Sequence, residues 1–485
     1  MGTTDYERIF HPGRMAIVGV CAEGGFNFAN GILLACRAMG FAGEILPVNP
    51  RGGSFAGHTI LPSLEEIPGE IDFAVIAVPA AAVPAALEAC RRKGAAGAEV
   101  VTAGFGETGT REGRALEQQV REVAARGIRV VGPNCFGIYC PRSGLTLLPG
   151  PDLSRESGPV AFLSQSGGMS IDLAHLGKWM GLRFSKVVSF GNGADLREAE
   201  LLRYLTDDPE TGVIALYVEG VADGAAFFAA IRDAARRKPV VVLKGGLSEA
   251  GGRAVVGHTA SMGGSRVIWS SVLRQVNAVQ VHDLAELAQA CLAFSSLPAR
   301  AFRGISCVGG GGALGVAAGD AAEAHGIAVP PLPDGLRRRI EALLPRPGSS
   351  AVNPIDVANP FVPPQTLGQV LRLAAEDDRV ELQMLISLLY HYKSQARAMG
   401  VPVAGITPFP ELADTVAGVV ADTGKPVVLV LPDLKRGGDD LDVAEMMAQA
   451  REAIVAKGIP VFGHIGKALR AVGHVNTYYG RRHGR

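Results

Sequence analysis

Short runs of consecutive apolar residues recur along the chain, and most of them are followed by a glycine-rich turn and a helical pattern. Met15–Val20 and Phe73–Val78 are such runs, Arg129–Val131 is a shorter predicted strand, and Ala82–Lys93 and Arg111–Gly127 have the spacing of helices. A strand that is apolar on consecutive positions is buried on both faces, as in a parallel sheet covered by helices. The pattern therefore predicts an α/β chain built on parallel sheets.

The alternation of strands and helices falls into three cycles. Turn-rich sequence with Pro141, Pro149 and Pro151 ends the first cycle, and Ser295–Arg300 is a linker between the second and the third. We therefore predict three consecutive α/β sandwich domains, over residues 1–145, 155–297 and 301–480. The other predicted strands are Glu44–Val48, Glu99–Thr102, Pro159–Ser164, Phe184–Ser189, Gly212–Val218, Pro239–Leu243, Gly304–Val308, Leu382–Leu389, Pro426–Leu431 and Pro460–Gly463.

Composition and charge narrow the class of protein. Hydrophobic residues make up 48% of the 485 residues, and 47 basic residues balance 47 acidic ones, which argues against nucleic acid as a partner. The seven cysteines have no CxxC spacing, so neither a disulfide framework nor a metal site is predicted. Because the N-terminus has no apolar signal core and no apolar run is long enough to span a bilayer, we expect a cytoplasmic protein with no membrane partner.

The first apolar strand leads into a glycine-rich turn and a helix start. Gly19 lies near the end of the strand, and Gly24 and Gly25 follow in the sequence AEGGFN. Such a turn attracts anions through its free N–H groups and the helix dipole; alternatively, the two glycines only form a tight turn. The spacing is not GxGxxG, and Arg51 stands where an NAD enzyme has an acid. Arg51 suits a phosphorylated adenosine, which NADP and CoA both contain.

Two further segments lie at carboxyl ends of predicted strands, where open α/β sheets bind ligands. Val78–Pro79 follows the third strand, and Asn134 and Cys135 follow the fifth. The Asn134 amide can both donate and accept hydrogen bonds. Cys135 is either a small buried apolar residue or, with a helix N-terminus near it, a thiol of lowered pKa.

His258 stands out from the other nine histidines by its surroundings, GRAVVGHTASMGGS. The flanking glycines allow close approach of the backbone to a ligand. Ser261, Gly263 and Gly264 supply hydroxyl and N–H donors at a predicted helix start, which would accept a phosphoryl group on the imidazole. The alternative is an ordinary loop histidine.

A second anion site is predicted where an apolar strand runs into another glycine-rich helix start. Its residues are Ser164, Gln165, Ser166, Gly167 and Gly168. Glu219 follows a neighbouring strand and is either a solvated surface carboxylate or the acceptor for one imidazole nitrogen. In the second case it would fix the tautomer and leave the other nitrogen as nucleophile.

Several of these segments together carry a family resemblance. VNPRGG, TAGFGETG, GPNCFGI, SQSGGM and GRAVVGHTASMGGS occur in this order. They resemble the NDP-forming acyl-CoA synthetases, namely the α subunits of ADP-forming acetyl-CoA synthetase and of succinyl-CoA synthetase. The resemblance extends from about Ala16 to Tyr479. It implies a Rossmann-like CoA-binding domain followed by two flavodoxin-like CoA ligase domains.

The resemblance also implies the roles of the first domain's residues. CoA is the substrate, and its phosphates would lie near Gly19–Gly25 and Arg51. Its adenine and pantetheine would lie along Val78–Pro79 and the segment from Gly104 to Glu107. Its thiol end would lie near Asn134 and Cys135.

For the second domain, the resemblance implies that His258 is phosphorylated and that Glu219 stabilises it. The turn from Ser164 to Gly168 would cradle the phosphoryl or acyl-phosphate group. Glycine before His258 and alanine at position 260 depart from the acetyl-CoA synthetases, which usually have serine and glycine there. Succinyl-CoA synthetase has glycine before its histidine, so the departure leaves the chemistry intact and the acid open.

None of these segments resembles the nucleotide-binding part of such synthetases. No stretch suits an ATP-grasp domain, the GxxxxGK[ST] loop is absent, and Gly309–Gly312 is either a third anion site or a tight turn. We therefore expect a hetero-oligomer with a separate β-type ATP-grasp subunit that binds ATP and Mg²⁺, acting on a small carboxylic acid. The alternatives are a CoA-binding regulatory or acyl-transferring relative and, disfavoured by the missing GxGxxG, an NADP oxidoreductase.

Overall fold

Three sheets with parallel central strands carry the fold. The computed structural model describes residues 4–22, 27–146, 152–253 and 265–483. By its internal contacts the chain divides into two units, Met1–Leu287 and Ala288–Arg485. Within the described ranges no helix is long and apolar enough to cross a membrane.

The first sheet lies near the N-terminus. Strands β2-β1-β5-β6-β7 are adjacent in that order and all parallel, and β3 pairs with β4 in a separate antiparallel ribbon. The strands are β1 (Arg14–Val18), β2 (Glu44–Val48), β3 (Ser54–Phe55), β4 (His58–Thr59), β5 (Phe73–Ile76), β6 (Gly97–Val100) and β7 (Arg129–Val131). The helices are α1 (Tyr6–Phe10), α2 (Phe28–Met39), α3 (Val83–Arg92) and α4 (Arg111–Ala124).

The second sheet belongs to the same unit. Its order is β14-β13-β12-β10-β11-β8-β9, and it is parallel except for the hairpin β8-β9, which joins the edge of β11 antiparallel. The strands are β8 (Gly137–Cys140), β9 (Leu145–Thr146), β10 (Ser157–Ser164), β11 (Phe184–Ser189), β12 (Val213–Val218), β13 (Val240–Lys244) and β14 (Val279–Val281). The helices are α5 (Gly167–Met180), α6 (Glu198–Asp207), α7 (Gly224–Arg237), α8 (Arg266–Gln275) and α9 (Leu284–Ser296), the last of which contains the division between the units.

The third sheet belongs to the second unit. Its order is β16-β15-β17-β18-β19, all parallel. The strands are β15 (Ile305–Gly309), β16 (Ile355–Asp356), β17 (Leu382–Ile386), β18 (Val427–Val430) and β19 (Val461–Phe462). The helices are α10 (Gly312–Ala324), α11 (Asp334–Glu341), α12 (Pro364–Ala374), α13 (Tyr392–Met399), α14 (Phe409–Thr423), α15 (Leu441–Val455) and α16 (Ile465–His483).

Each sheet has the same parallel order: second strand, first strand, third, fourth, fifth. In such a doubly wound sheet the chain reverses its direction of travel between the first and third strands, and a crevice opens outside their carboxyl ends. The crevices of the first unit lie between β1 and β5 and between β10 and β12. The predicted site residues Gly19, Val78, Ser164 and Glu219 lie at the ends of these strands.

One hydrophobic core joins the two sheets of the first unit. Ile17 and Val75 of the first sheet belong to the same buried cluster as Leu163 and Val188 of the second. Cys135 is also part of this cluster. Because protein interiors are close-packed, such a continuous core holds the two crevices at a fixed separation. The β8-β9 hairpin, all of which except Thr146 lies within the range predicted for the first domain, pairs with the second sheet.

Glu99 is a carboxyl group within the first sheet, on β6, and it is fully buried. Burial raises its pKa to about 8, and the nearby backbone of Ile138 only partly opposes this. A Cβ at Gly137 would lie 1.7 Å from Oε2 of Glu99, and Gly137 has φ +68°. Glycine is therefore required there both for space and for backbone conformation.

The raised pKa predicts that Glu99 makes stability depend on pH. The unfolded chain ionises this carboxyl near pH 4.5, whereas the folded chain keeps it protonated up to about pH 8. Stability is therefore lost as the pH rises between these values. Glu99→Gln should remove this loss, so the stability of the variant relative to wild type should rise by about 3.5 kcal/mol from pH 5 to pH 8.

Thermal unfolding at several pH values measures this difference. Because the comparison uses the slopes of stability against pH, any pH-independent cost of burying the glutamine amide cancels. Parallel curves for the variant and wild type would show that Glu99 is already ionised in the folded protein.

Candidate active site

A cleft of about 510 Å³ opens at the carboxyl ends of the first sheet. Its lining contains residues that follow β5, β6 and β7 and residues at the start of α2, so it lies at the crevice between β1 and β5. The lining residues are Asn27, Phe28, Ala77, Val78, Val101, Thr102, Ala103, Asn134 and Phe136. The volume is within the usual range for small-molecule sites.

The floor of the cleft depends on close contact between the ends of β1 and β5. Gly19 has φ +117°, and a Cβ there would lie 2.4 Å from the carbonyl oxygen of Ala77. Asn27 caps helix α2 by accepting a hydrogen bond from the Ala29 N–H at 2.8 Å. Its amide nitrogen also donates to the Gly19 carbonyl at 3.1 Å. The helix start is thus fixed against the strand end.

The far wall of the cleft is formed after β6 and β7. The Thr102 hydroxyl donates to the Val78 carbonyl at 2.7 Å, and the Asn134 N–H donates to the Thr102 carbonyl at 2.9 Å. The predicted residues Val78 and Asn134 are therefore brought to one cleft. Asn134 has φ +56°, a left-handed conformation that asparagine tolerates better than most residues.

Cys135 lies behind this wall and is buried. Its thiol points to the Val100 carbonyl at 3.4 Å, and burial raises its pKa well above the ordinary value. This environment contradicts the alternative of a thiol with a lowered pKa. Cys135 contributes to the core in the form of the neutral thiol.

Glu107 holds the loop that follows β6. Its carboxylate accepts hydrogen bonds from the N–H groups of Gly104 at 2.6 Å and Phe105 at 3.1 Å. Burial alone would raise the pKa of Glu107, but the hydrogen bonds from Asn192 and the backbone outweigh it and lower the pKa. Gly104 and Glu107 thus shape the segment next to the cleft wall.

The other residues predicted for CoA are less enclosed. Arg51 is exposed in the turn after β2, where its N–H donates to the Asn49 side chain at 3.0 Å. Pro79 is also exposed, directly after the cleft residue Val78. Gly24 and Gly25 lie outside the described residues.

The predicted phosphate turn occupies the corresponding crevice of the second sheet. Ser166 is the N-cap of α5, and Gly167 and Gly168 are its first residues. The Ser164 hydroxyl donates to the Ser166 carbonyl at 2.7 Å and accepts from the Ser166 N–H at 3.1 Å. The first N–H groups of a helix have no acceptor within it, so this turn presents donors and a positive dipole end to an anion.

Glu219 and Gln165 meet at this crevice. Glu219 is 5% exposed, so the alternative of a solvated surface carboxylate is wrong. Its Oε1 accepts a hydrogen bond from the Tyr217 hydroxyl at 3.0 Å. The Gln165 amide donates to the Gly220 carbonyl at 2.9 Å and accepts from the N–H groups of Gly220 and Glu219. Gln165 therefore positions the backbone that carries Glu219.

Lys244, which the sequence analysis did not select, lies beside Glu219. It is 5% exposed, its ammonium donates to the Glu219 carbonyl at 2.7 Å, and it lies 5.1 Å from the centre of the Trp269 ring. Burial lowers the pKa of Lys244, and the nearby charge of Glu219 opposes that shift. A lysine directly after an apolar strand was the signal that could have found it.

Phe136 joins the two crevices. Its ring lines the cleft of the first sheet and packs against the first residue of α5, since a Cβ on Gly167 would lie 2.5 Å from its Cδ2. Its N–H donates to the Ser189 hydroxyl at 3.2 Å, at the end of β11. The cleft and the phosphate turn are therefore separated by a single aromatic side chain.

The glycine loop of the third sheet differs from the other two. The Asp356 carboxylate accepts a hydrogen bond from the Gly311 N–H at 3.0 Å, directly before helix α10. A carboxylate of the chain itself thus lies where an anion would bind, and like charges repel. The geometry favours the tight-turn interpretation of Gly309–Gly312.

His258, Ser261, Gly263 and Gly264 lie outside the described residues. Their predicted roles stay predictions. The flanking elements are described: β13 ends at Lys244, beside Glu219, and α8 begins at Arg266.

Comparison with known proteins agrees with this arrangement. A family model described as a CoA binding domain matches residues 14–141, and one described as a succinyl-CoA ligase like flavodoxin domain matches residues 157–294. The chain is 33% identical over 473 residues to acetate–CoA ligase (ADP-forming) I of Archaeoglobus fulgidus, covering 97% of this chain and 63% of that protein. It is 36% identical over 357 residues to the α subunit of acetate–CoA ligase (ADP-forming) I of Pyrococcus furiosus, covering 72% of this chain and 76% of that subunit.

A solved structure agrees over almost the full length. The dinucleotide forming acetyl-coenzyme A synthetase 1 of Ca. Korarchaeum cryptofilum, in complex with phosphate and ADP, superposes with a TM-score of 0.83 at 28% identity. The superposition covers 99% of this chain and 98% of that chain. The predicted α/β fold class is thereby confirmed.

Fold and site define an α/β protein with a CoA-binding domain followed by a succinyl-CoA ligase-like flavodoxin domain. The chain belongs to the family of ADP-forming acetate–CoA ligases, within the NDP-forming acyl-CoA synthetases. It spans less than two thirds of the length of the Archaeoglobus relative, 63%.

The contact between Phe136 and Gly167 predicts a difference between two neighbouring glycines. Gly167→Ala should displace the Phe136 ring into the cleft and weaken CoA binding about tenfold, a cost of roughly 1.4 kcal/mol. Gly168→Ala is the matched control, because the nearest atom to a Cβ there lies 3.9 Å away. Calorimetric titration with CoA measures both variants.

Gly168→Ala should change the CoA affinity less than twofold. Equal affinities for the two variants would mean that the Phe136 ring does not form a wall of the CoA site.

Proposed function

We propose that this chain is the CoA-binding, phosphohistidine-carrying α-type subunit of an NDP-forming acyl-CoA synthetase. The overall reaction is carboxylate, CoA and ATP giving acyl-CoA, ADP and phosphate. The observation that carries the proposal is the adjacency of a cleft with the family's CoA-binding motifs and an anion-binding helix start, with Phe136 between them. We assign the CoA-binding domain to residues 1–145 and the ligase domains to residues 155–297 and 301–480.

CoA would lie along the carboxyl ends of the first sheet. Its phosphates would meet Arg51 and the glycine-rich turn after Gly19, where an exposed guanidinium and a helix start both attract anions. The pantetheine would pass Val78, and the thiol would end near Asn134. With CoA bound in this direction, its sulfur would lie next to Phe136 and hence near the phosphate turn.

The acyl phosphate would form at the turn from Ser164 to Gly168. A carboxylate resists attack because it is negatively charged and has no good leaving group. After phosphorylation the CoA sulfur can attack the carbonyl carbon; the C–O bond to phosphate breaks, phosphate leaves, and the thiol proton is released. The N–H groups of Gly167 and Gly168 would stabilise the charge on the departing phosphate.

His258 would carry the phosphoryl group between nucleotide and acid. Glu219, buried and fixed by Tyr217 and Gln165, is suited to orient one imidazole nitrogen so that the other attacks phosphorus. Lys244 adds a buried positive charge beside Glu219. This charge would stabilise a negatively charged phosphoryl group at the crevice.

The nucleotide would be bound outside this chain. ATP and Mg²⁺ would be held by an ATP-grasp subunit, and transfer would require movement of the phosphohistidine segment or of a domain between two large sites. The name of the Pyrococcus relative, an α subunit, supports this organisation. The Archaeoglobus relative, of which the match covers 63%, supports a nucleotide half within one longer polypeptide in some members of the family.

His258 is predicted to be the phosphorylated residue. Incubation with acetyl-CoA and labelled phosphate should give an acid-labile, base-stable label on the wild-type chain and none on His258→Ala. Glu219→Gln should bind CoA normally but acquire the label at least tenfold more slowly, because the amide orients the imidazole less well. Quench-flow with gel autoradiography follows the label.

His175→Ala is the matched control, since His175 is a half-exposed histidine on α5 that pairs with Asp152 at 3.7 Å. It should acquire the label as wild type does. A label that persists in His258→Ala would refute the assignment.

A second prediction concerns the nucleotide. The isolated 485-residue chain should exchange phosphate with acetyl-CoA through acetyl phosphate but should form no acetyl-CoA from acetate, CoA and ATP. Adding the cognate ATP-grasp chain should restore ATP-dependent synthesis, measured as ADP release. ATP-dependent synthesis by the isolated chain would contradict a separate nucleotide subunit.

A further inference from the structure

The segment that follows β11 connects the phosphate turn with the CoA cleft. At its start the Phe190 N–H donates to the Ser164 carbonyl at 2.9 Å, and the Ser189 hydroxyl accepts from the Phe136 N–H at 3.2 Å. Further along, the Asn192 N–H donates to the Pro133 carbonyl at 3.0 Å. One short stretch therefore touches the strand end before the phosphate turn and the backbone that forms the cleft wall.

The same segment continues along the edge of β7. The N–H groups of Ala194 and Leu196 donate to the carbonyls of Gly132 and Val130 at 2.9 and 3.0 Å. The Arg129 guanidinium pairs with Asp195 at 2.8 Å. This part of the contact fixes the segment to the first sheet away from the cleft.

The Asn192 side chain makes the contacts nearest the cleft. Its amide nitrogen donates to Glu107 at 2.5 Å and to Glu117 at 2.9 Å, and its oxygen accepts from the Asn134 amide at 3.3 Å. An asparagine amide has two donor hydrogens and an acceptor oxygen, so these contacts use all its donors. Asn192 also places a neutral donor between two carboxylates that would otherwise repel each other.

The partners of Asn192 form the cleft wall. Glu107 holds the N–H groups of Gly104 and Phe105, directly after the lining residues Thr102 and Ala103, while Asn134 lines the cleft itself. Removing the amide would leave Glu107 and Glu117 facing each other and would release Asn134. The wall would then no longer be aligned with the second sheet.

We propose that Asn192 is a positioning residue that aligns the CoA cleft with the phosphate turn, an inference that rests on the proposed function. In the proposed reaction, Asn192 would contact neither the CoA sulfur nor the carbonyl carbon that the sulfur attacks. It acts through Glu107 and Asn134, which it holds at the geometry that brings the CoA thiol to the acyl phosphate. Enzymes gain much of their rate from such alignment, and small displacements are costly.

CoA binding to the full chain tests the proposal by titration calorimetry. Asn192→Ala should weaken CoA about tenfold at both pH 6 and pH 8. Asn192→Asp keeps the shape but replaces a donor by a charge that faces Glu107 and Glu117. Two cations adjoin this cluster, Arg121 on Glu117 at 2.6 Å and Arg197 on the Asn192 carbonyl at 3.2 Å.

A carboxyl in this cluster can regain a donor hydrogen by protonation. The ratio of the CoA affinity at pH 6 to the CoA affinity at pH 8 should therefore be at least threefold higher for Asn192→Asp than for wild type. Loss of packing alone would not produce this pH dependence, so it separates positioning from general loosening.

Arg129→Ala is the matched control, because it breaks the ion pair between Arg129 and Asp195 of the segment and leaves the cleft contacts in place. It should change CoA affinity less than twofold. Wild-type affinity in Asn192→Ala, or an equal loss in Arg129→Ala, would overturn the inference while leaving the proposed function intact. A wild-type chain that binds no CoA would overturn both.

Discussion

The packing of Phe136 against the start of helix α5 is the contact on which the site depends. Parallel sheets of this order open crevices at the carboxyl ends of their first and third strands, and each crevice by itself is common. Here two of them share a wall, because the backbone after β7 runs directly into the hairpin at the edge of the second sheet. A continuous core prevents the two sheets from shifting independently. A ligand in the cleft and an anion at the phosphate turn would therefore lie close together without a large motion of either sheet.

The charged side chains near this wall differ in their surroundings at the two crevices. At the second crevice, the Lys244 ammonium donates to the backbone carbonyl of Glu219, whose proposed role is in phosphoryl transfer. At the cleft, Glu107 and Glu117 are separated by the neutral Asn192 amide, and each accepts hydrogen bonds from backbone N–H groups. In the third sheet, Asp356 occupies the corresponding helix start, which leaves that turn with a structural role. The three sheets share one strand order, but the turns at the carboxyl ends of their strands thus differ from sheet to sheet.

Much of the fold was predictable because buried parallel strands are apolar on consecutive positions. Predicted Phe73–Val78 and Phe184–Ser189 correspond to observed β5 and β11. The hairpin β8-β9 was not predicted, since its strands are short and lie among turn residues. Glycine-rich helix starts identified the Ser164–Gly168 turn, because that signal is local.

Residues whose role depends on distant partners were missed. The contacts of Asn192 and Lys244 join segments tens of residues apart, and no periodicity in the sequence reveals these contacts. The strand pattern did not single out Glu99, because the residues around it are apolar. In such surroundings burial favours the protonated carboxyl group. Gly24, Gly25 and the residues around His258 stay predictions from the sequence.

The central claim is that CoA and phosphate bind on the two sides of Phe136. A crystal structure of the chain with CoA and inorganic phosphate tests it most directly. We predict the CoA sulfur beside Asn134 and phosphate on the N–H groups of Gly167 and Gly168, with the Phe136 ring between them. CoA bound outside the cleft, or phosphate bound away from this turn, would contradict the account.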